Sequence, residues 1–327
     1  SSMVDETSIG EQTFNYLVQA VGTVKTVSGK IEVTLGSLSA DSLSFQITVL
    51  SAPVTPAMDG FKYSFGEVSK SHGYSINVGG KTYTAENTEF DLGVVLAAGN
   101  YTIKVCARGN GSDVLASNFA DPLNLVRLEA PRNVRIDTTE ASDGTLTYDS
   151  ILYALSYFIV FNNDGQTRDA ATIGNMNQYI TTEGTSVYMQ SAANYYNSDR
   201  TVYYMTSQPG TTMMFIKLAA PTFGDVAFSN NRFNFKAPSN LNTQIYTPTY
   251  QVADANGVIY DGELNGTSFD ISNLPAGTYT FKVRAVGDGK NYVNSEWSSP
   301  QTITKLASPT VRRENGKYVW NVVPGAT

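Results

Sequence analysis

The chain has 327 residues, only 16% of them charged, with 20 tyrosines, 15 phenylalanines and one cysteine; the length suits two or three domains, and β-branched and aromatic residues mixed with Asn, Gly and Ser are the palette of all-β secreted proteins. A formal net charge of −7 argues against nucleic acid, which demands clustered cations to neutralise its phosphates. One cysteine rules out an internal disulfide framework, and no apolar run of about 18 residues is present to enter a membrane.

The opening Ser1-Ser2-Met3 lacks the basic and apolar regions of a signal peptide. Residues 1–21 therefore read as a leader or linker, and the chain as a segment of a longer protein whose targeting signal and anchor lie outside it. A first β-rich module is expected over residues 22–127, with an insertion around Ser51 to Gly73 between its second and third strands. Its later half holds a short strand at Phe90-Asp91-Leu92, a Gly-bearing corner and a long alternating strand. In that strand Tyr101, Ile103, Val105 and Ala107 share one face, while Lys104, Cys106 and Arg108 share the other. Cys106 is thus expected to face outward, with adjacent cations favouring its thiolate.

The phrase Leu128-Glu129-Ala130-Pro131 closes that module. It returns as Leu218-Ala219-Ala220-Pro221 and Leu306-Ala307-Ser308-Pro309, with the prolines at intervals of 90 and 88 residues. So long a period, with strands inside it, means domains in a row rather than one large fold. The second module, 128–217, is divergent. Leu146-Thr147-Tyr148 precedes Ser156 to Phe161, followed by a hairpin turn at Asn162-Asn163-Asp164-Gly165. Thr185 to Gln190 is aligned with Thr267 to Ser272 of the third module. A long loop, Ala192 to Asp199, then leads to a strand from Arg200 to Ser207, a turn at Gln208 to Thr211, and a last strand from Met213.

The third module, 218–305, repeats the first closely. Phe269-Asp270-Ile271, the corner at Leu274-Pro275-Ala276-Gly277 and the alternation Tyr279, Phe281, Val283, Ala285 match the corresponding run before Ala107. Residues 306–327 hold only the first strands of a fourth, truncated module, with Tyr318, Trp320 and Val322 alternating. Two strands cannot bury a core, so a neighbouring module, a second copy or an added strand is expected to cover Trp320.

Each unit resembles a fibronectin type III domain, or the related bacterial immunoglobulin-like form. Lys317-Tyr318-Val319-Trp320 followed by Val323-Pro324-Gly325-Ala326 is similar to that family's second-strand tryptophan and the turn after it. Tyr148 and Phe235 occupy the slot of Trp320, and Tyr101 and Tyr279 that of the family's tyrosine corner. The resemblance implies tandem seven-stranded antiparallel β-sandwiches arranged as a rod. It implies no ligand, because these motifs specify structure.

Residues with catalytic or metal-binding capacity are sparse. His72, the only histidine, sits in a loop with no cysteine near it in sequence, and nothing resembles a nucleophile elbow. One histidine and one cysteine cannot supply a zinc set. Asn163-Asp164-Gly165 and Asp254-Ala255-Asn256-Gly257 carry oxygen ligands without EF-hand spacing and read as hairpin turns. Arg108 to Asp113 and Gly287 to Tyr292 read as loop turns also. The sequons at Asn100, Asn110 and Asn265 are too short to weigh. No catalytic residue, cofactor or metal is therefore expected.

The remaining signal is aromatic. Tyr195, Tyr196, Tyr292 and Trp297 lie in or beside loops, where an aromatic face stacks on sugars or anchors a protein partner. Trp297 and Tyr292 also suit the cover of a strand edge or of a domain junction, which is the preferred reading for Trp297 because large aromatics are usually well buried. The Tyr195-Tyr196 segment is an insertion relative to the third module, which makes it the first choice for a ligand. The sequence thus points to a non-catalytic extracellular spacer or adhesion region of a bacterial surface protein, with a cell-surface glycan or protein as the partner of its loops and no indication of oligomeric state. Accessory modules of a secreted carbohydrate-active enzyme, or a phage tail component, fit the same residues.

Overall fold

The computed structural model describes residues 12–16, 24–27, 30–33, 45–162, 165–260 and 263–326. The remainder of the expected leader, Gly22, and the Asn163-Asp164 pair of the hairpin turn lie outside the described residues. Apart from one 3-10 turn, Met176–Gln178, every described element is a strand. No described helix is long and apolar enough to cross a membrane, which says nothing of β-barrels. The chain divides into two compact units. One comprises Ser1–Glu129, Leu152–Leu155 and Ser191–Gln208; the other comprises Ala130–Ile151, Ser156–Gln190 and Pro209–Thr327.

In the first unit, Ala57–Asp59, Lys62–Ser64 and Glu89–Asp91 form one antiparallel sheet. Lys81–Ala85, Tyr74–Val78, Gly99–Ala107 and Leu123–Arg127 lie side by side in the other. Period-two alternation sends Tyr74, Ile76, Val78, Ile103, Val105 and Leu125 inward from the second sheet, to meet Met58, Tyr63 and Leu92 from the first. The Tyr101 hydroxyl donates to the Ala97 carbonyl at 3.1 Å, closing the expected tyrosine corner. Arg127 is buried, and its guanidinium donates to the carbonyls of Gly93 and Leu96 at 2.6 and 2.5 Å. Burial holds its pKa below the usual arginine value.

Three expectations change here. The stretch Ser51 to Gly73 is not an insertion, because Ala57–Asp59 and Lys62–Ser64 are the first hairpin of this sandwich. It is introduced by Leu50-Ser51-Ala52-Pro53, a further copy of the recurring phrase. Upstream, Gln12–Tyr16 pairs antiparallel with Phe45–Val49 in a separate three-stranded sheet, so part of the expected leader is a strand. Cys106 alternates as expected but is buried, and burial raises its thiol pKa against a smaller opposing effect of a hydrogen bond to the Ser75 backbone. The outer face at this end of the strand is covered.

The second unit holds two sandwiches. In one, Arg135–Ile136 pairs with Leu146–Thr147 against a sheet ordered Thr167–Asp169, Ser156–Phe161, Thr185–Ala192, Met213–Lys217. Ile136, Ile159, Phe161, Val187, Met189 and Phe215 fill its core. Thr185–Ala192 pairs with the last strand of its module, as Gly99–Ala107 and Gly277–Val286 do; it is their counterpart, not that of Thr267 to Ser272. The third module sets Phe228–Ser229, Arg232–Asn234, Ser268–Asp270 and Leu264–Asn265 against Thr249–Ala253, Gly277–Val286 and Gln301–Lys305. Phe233, Phe269 and Phe281 form its aromatic centre, with the Phe233 and Phe281 rings 5.3 Å apart. Tyr279 closes its corner on the Pro275 carbonyl at 2.9 Å.

The final hairpin, Val311–Glu314 with Lys317–Trp320, stands in the position of Ala57–Asp59 with Lys62–Ser64. The third module does not cover it: among the described residues Tyr318 and Trp320 are 70% and 68% exposed.

Candidate functional site

After the long strand that pairs with its last one, Gly99–Ala107, Thr185–Ala192 or Gly277–Val286, each module sends a short segment away from its own sheet before returning for that last strand. Val114–Leu115 lies parallel to Phe45–Val49. Val202–Met205 lies parallel to Leu123–Arg127. Tyr292–Val293 lies parallel to Met213–Lys217. At Leu123–Arg127 and Met213–Lys217 the segment caps the last strand of the module before it, and at Phe45–Val49 it caps the strand that leads into the first sandwich. The leucine of the recurring phrase completes the ladder: Leu50 N–H donates to Leu115 O at 3.2 Å, Leu128 to Met205 O at 3.0 Å, and Leu218 to Val293 O at 3.2 Å. These leucines are 1%, 3% and 1% exposed.

A serine two residues on secures the return. Ser117 Oγ accepts from Ala107 N–H at 2.9 Å, Ser207 Oγ from Ser191 N–H at 3.0 Å, and Ser295 Oγ from Ala285 N–H at 2.9 Å. Each serine N–H donates back to the same residue's carbonyl, at 3.0, 3.0 and 2.9 Å. The hydroxyl replaces a carbonyl that the departing chain has taken elsewhere, so no buried N–H is stranded. Where the excursion is short, glycine is required. A Cβ on Gly109 would lie 1.9 Å from the Val114 carbonyl oxygen, and one on Gly287 would lie 2.2 Å from that of Tyr292. The second module instead makes a longer excursion, and Tyr195 and Tyr196 are part of it.

Tyr195–Tyr196 and Val202–Met205 form an antiparallel hairpin with Tyr195 opposite Tyr204 and Tyr196 opposite Tyr203. Its tip is fixed by Asn197, which accepts from Val202 N–H at 3.0 Å, and by Asp199, which accepts from the Thr201 hydroxyl at 2.6 Å; the Thr201 bonds hold the Asp199 carboxyl below its usual pKa. The two hairpin faces then diverge in role. On one, Tyr203 is 2% exposed and donates to the Gly60 carbonyl at 3.2 Å, while the Tyr196 hydroxyl accepts from Met58 N–H at 2.7 Å. Both rings join the core that contains Tyr63 and Leu92, and burial pushes the Tyr203 pKa up to about 12. On the other, Tyr195 and Tyr153 each stack on Tyr204, at centroid distances of 5.2 and 4.4 Å. The Tyr195 hydroxyl donates to Tyr153 O at 3.1 Å. Leu152, Tyr153 and Leu155 are exposed beside this stack.

The four residues singled out from the sequence therefore separate. Tyr195 belongs to a partly exposed aromatic stack. Tyr196 is half-buried with its hydroxyl engaged, and the Arg200 guanidinium lies 5.1 Å from its ring centroid. Tyr292 is buried and its hydroxyl accepts from Asn242 N–H at 3.2 Å, which corrects the expectation of a ring open to a ligand. Trp297 is half-buried beside the cations Lys282 and Arg284, at 5.1 and 5.0 Å. Sequence reasoning missed Tyr153, Tyr203 and Tyr204. The Tyr203-Tyr204 doublet in register with Tyr195-Tyr196 was the available signal. Among the described residues no cluster of three His, Cys, Asp or Glu side chains is placed to hold a metal.

No protein-family model matches the chain, and no curated protein matches it. Among solved structures it is similar to the FN1–FN3 domains of chicken CNTN1, at 12% identity over 77% of this chain and 98% of that one, with a TM-score of 0.27. It is also similar to the central fibronectin-III array of RIM-binding protein, at 13% identity over 78% and 97%, with a TM-score of 0.19. These are arrays of the family that the sequence resembles. The fibronectin type III-like assignment rests on the strand order and tyrosine corners above.

Proposed function

We propose that this chain is a non-catalytic spacing and display region of an extracellular, bacterial surface protein. The observation that carries the reading is the threefold strand addition at successive modules. A parallel ladder that also buries a leucine ties a segment of one module into the sheet that precedes it. Such strand lending suits a chain built of modules in series. Few charges, one buried cysteine and polar outer strand faces support the extracellular setting.

Contact with a partner falls to the stack of Tyr195, Tyr204 and Tyr153, rimmed by the exposed Leu152 and Leu155. Aromatic faces beside aliphatic side chains suit a sugar ring or an apolar protein anchor. The test is a glycan array probed with the whole chain and with a Tyr153→Ala/Tyr195→Ala variant. Binding of at least one glycan by the parent and a tenfold or greater loss in the variant is expected. Equal binding by both would remove the stack as the contact site.

A further inference from the structure

The strand Gln301–Lys305 is the last of its module and lies at the edge of its sheet. Its homologues, Phe45–Val49, Leu123–Arg127 and Met213–Lys217, are each capped by a parallel segment. By register, Thr304 and Leu306 correspond to Ile216 and Leu218, whose N–H groups donate to Asn291 O and Val293 O at 2.9 and 3.2 Å. Leu306 is 41% exposed, whereas its three counterparts are at most 3% exposed.

A cavity of about 380 Å³ adjoins this edge, lined by Phe228, Asn230, Arg232, Ile271, Ile303 and Leu306 among others. The matching positions in the first sandwich are Met58, Gly60, Lys62, Leu92, Leu125 and Leu128. Two facts fix that match. Leu92 N–H donates to Phe61 O as Ile271 N–H does to Asn231 O, both at 2.9 Å. Arg127 and Lys305 also reach equivalent carbonyls, Gly93 and Ser272. In the first sandwich the place is occupied: Tyr203, opposite Leu125, bonds the Gly60 carbonyl, and Tyr196 takes the Met58 N–H.

We infer that Gln301–Leu306 and the adjoining cavity form a docking site for a parallel strand bearing a large, hydroxyl-tipped aromatic side chain. The occupant is an extended segment of the kind that Val202–Met205 lends to Leu123–Arg127, with its tyrosine pair. The inference rests on the tandem-array reading. Continuity with three built interfaces of the same chain supports the parallel strand, and the one at Leu123–Arg127 supports the aromatic ring. The added strand supplies two carbonyls to Thr304 and Leu306, and its aromatic ring fills the cavity, so that main-chain bonds set register and the side chain sets specificity.

The test uses the full chain carrying a second copy of residues 194–208 after Thr327, through a flexible Gly/Ser linker of about 20 residues, which gives an effective concentration in the millimolar range. Amide exchange at Thr304 and Leu306 should slow at least tenfold relative to the untagged chain. Tyr203→Ala in the tethered copy should abolish that protection. Unchanged exchange at both amides overturns the docking site. Protection that survives the alanine change overturns the role of the cavity. Protection that grows with concentration in the untagged chain, together with dimer formation, assigns the edge to a second copy and overturns the occupant. None of these outcomes depends on ligand binding at the tyrosine stack, so the two readings fail separately.

Discussion

Replacing Tyr203 should damage a sandwich to which, by sequence position, it does not belong. Tyr203 lies more than 70 residues beyond the Leu128 phrase, yet it is 2% exposed and sits in the core with Tyr63, Ile76 and Val105. Tyr203→Ala removes a buried aromatic ring, which costs about 3–5 kcal/mol by analogy with other aromatic truncations. Tyr203→Phe keeps the ring, loses the bond to Gly60 O and leaves that carbonyl unpaired, for about 1 kcal/mol. Because 1.4 kcal/mol is a tenfold change in an equilibrium constant, Tyr203→Ala should accelerate exchange of the Gly99–Ala107 amides by about a hundredfold or more, and Tyr203→Phe by about five- to tenfold. Peptide-resolved hydrogen exchange reads both. The strands Ser156–Phe161 and Met213–Lys217 should change far less. If they exchange faster while Gly99–Ala107 stays protected, the hairpin serves its own module and the reasoning fails.

Alkaline titration offers a second check. The Tyr203 pKa is raised to about 12 by burial and that of Tyr63 is raised further. Folding therefore favours the neutral phenols: the associated stability is intact below the unfolded tyrosine pKa of about 10 and is lost as pH rises through the folded values. Denaturant midpoints followed from pH 9 to 12 should fall above pH 10, with a smaller fall in Tyr203→Phe; a flat profile would contradict the burial. Cys106 should react with a thiol reagent at pH 8 only after denaturation, since burial shields it and suppresses its thiolate; rapid labelling of the folded chain would refute this. Ser117→Ala and Ser295→Ala each strand a main-chain N–H and should cost about 1–3 kcal/mol by equilibrium unfolding, and near-neutral values would show that the serines are incidental. Asp143→Ala removes the carboxylate 2.8 Å from Arg284 Nη1 in a largely covered ion pair. A loss of about 1–3 kcal/mol is expected in the same assay, and no loss would mean that solvent already screens the pair.

Much of this architecture was legible because it depends on local rules. Alternation identified the inward faces of Gly99–Ala107 and Gly277–Val286, and the corner tyrosines Tyr101 and Tyr279 were recognisable from their place before those faces. The copy of the phrase at Leu50 was equally legible but fell below notice, since Ala57–Asp59 and Lys62–Ser64 are too short to show periodicity. What the sequence could not reveal is where a strand finds its partner. Val202–Met205 reads as an ordinary alternating strand of its own module. Its pairing with Leu123–Arg127 is decided by the open edge there and by the room beside Gly60 for two tyrosine rings. For the same reason Tyr195 and Tyr196, adjacent and chemically identical, were indistinguishable until the hairpin placed one in a solvent-facing stack and the other against a core. Cys106 shows the limit of strand parity: alternation fixes which face a residue takes, and not whether that face meets water.

The central claim is that each module closes the open edge of the one before it, and the four leucines of the recurring phrase test it together. Residue-resolved amide exchange by NMR on the full chain should find the N–H groups of Leu50, Leu128 and Leu218 strongly protected and that of Leu306 exchanging orders of magnitude faster. Equal, rapid exchange at all four would contradict strand addition at the junctions.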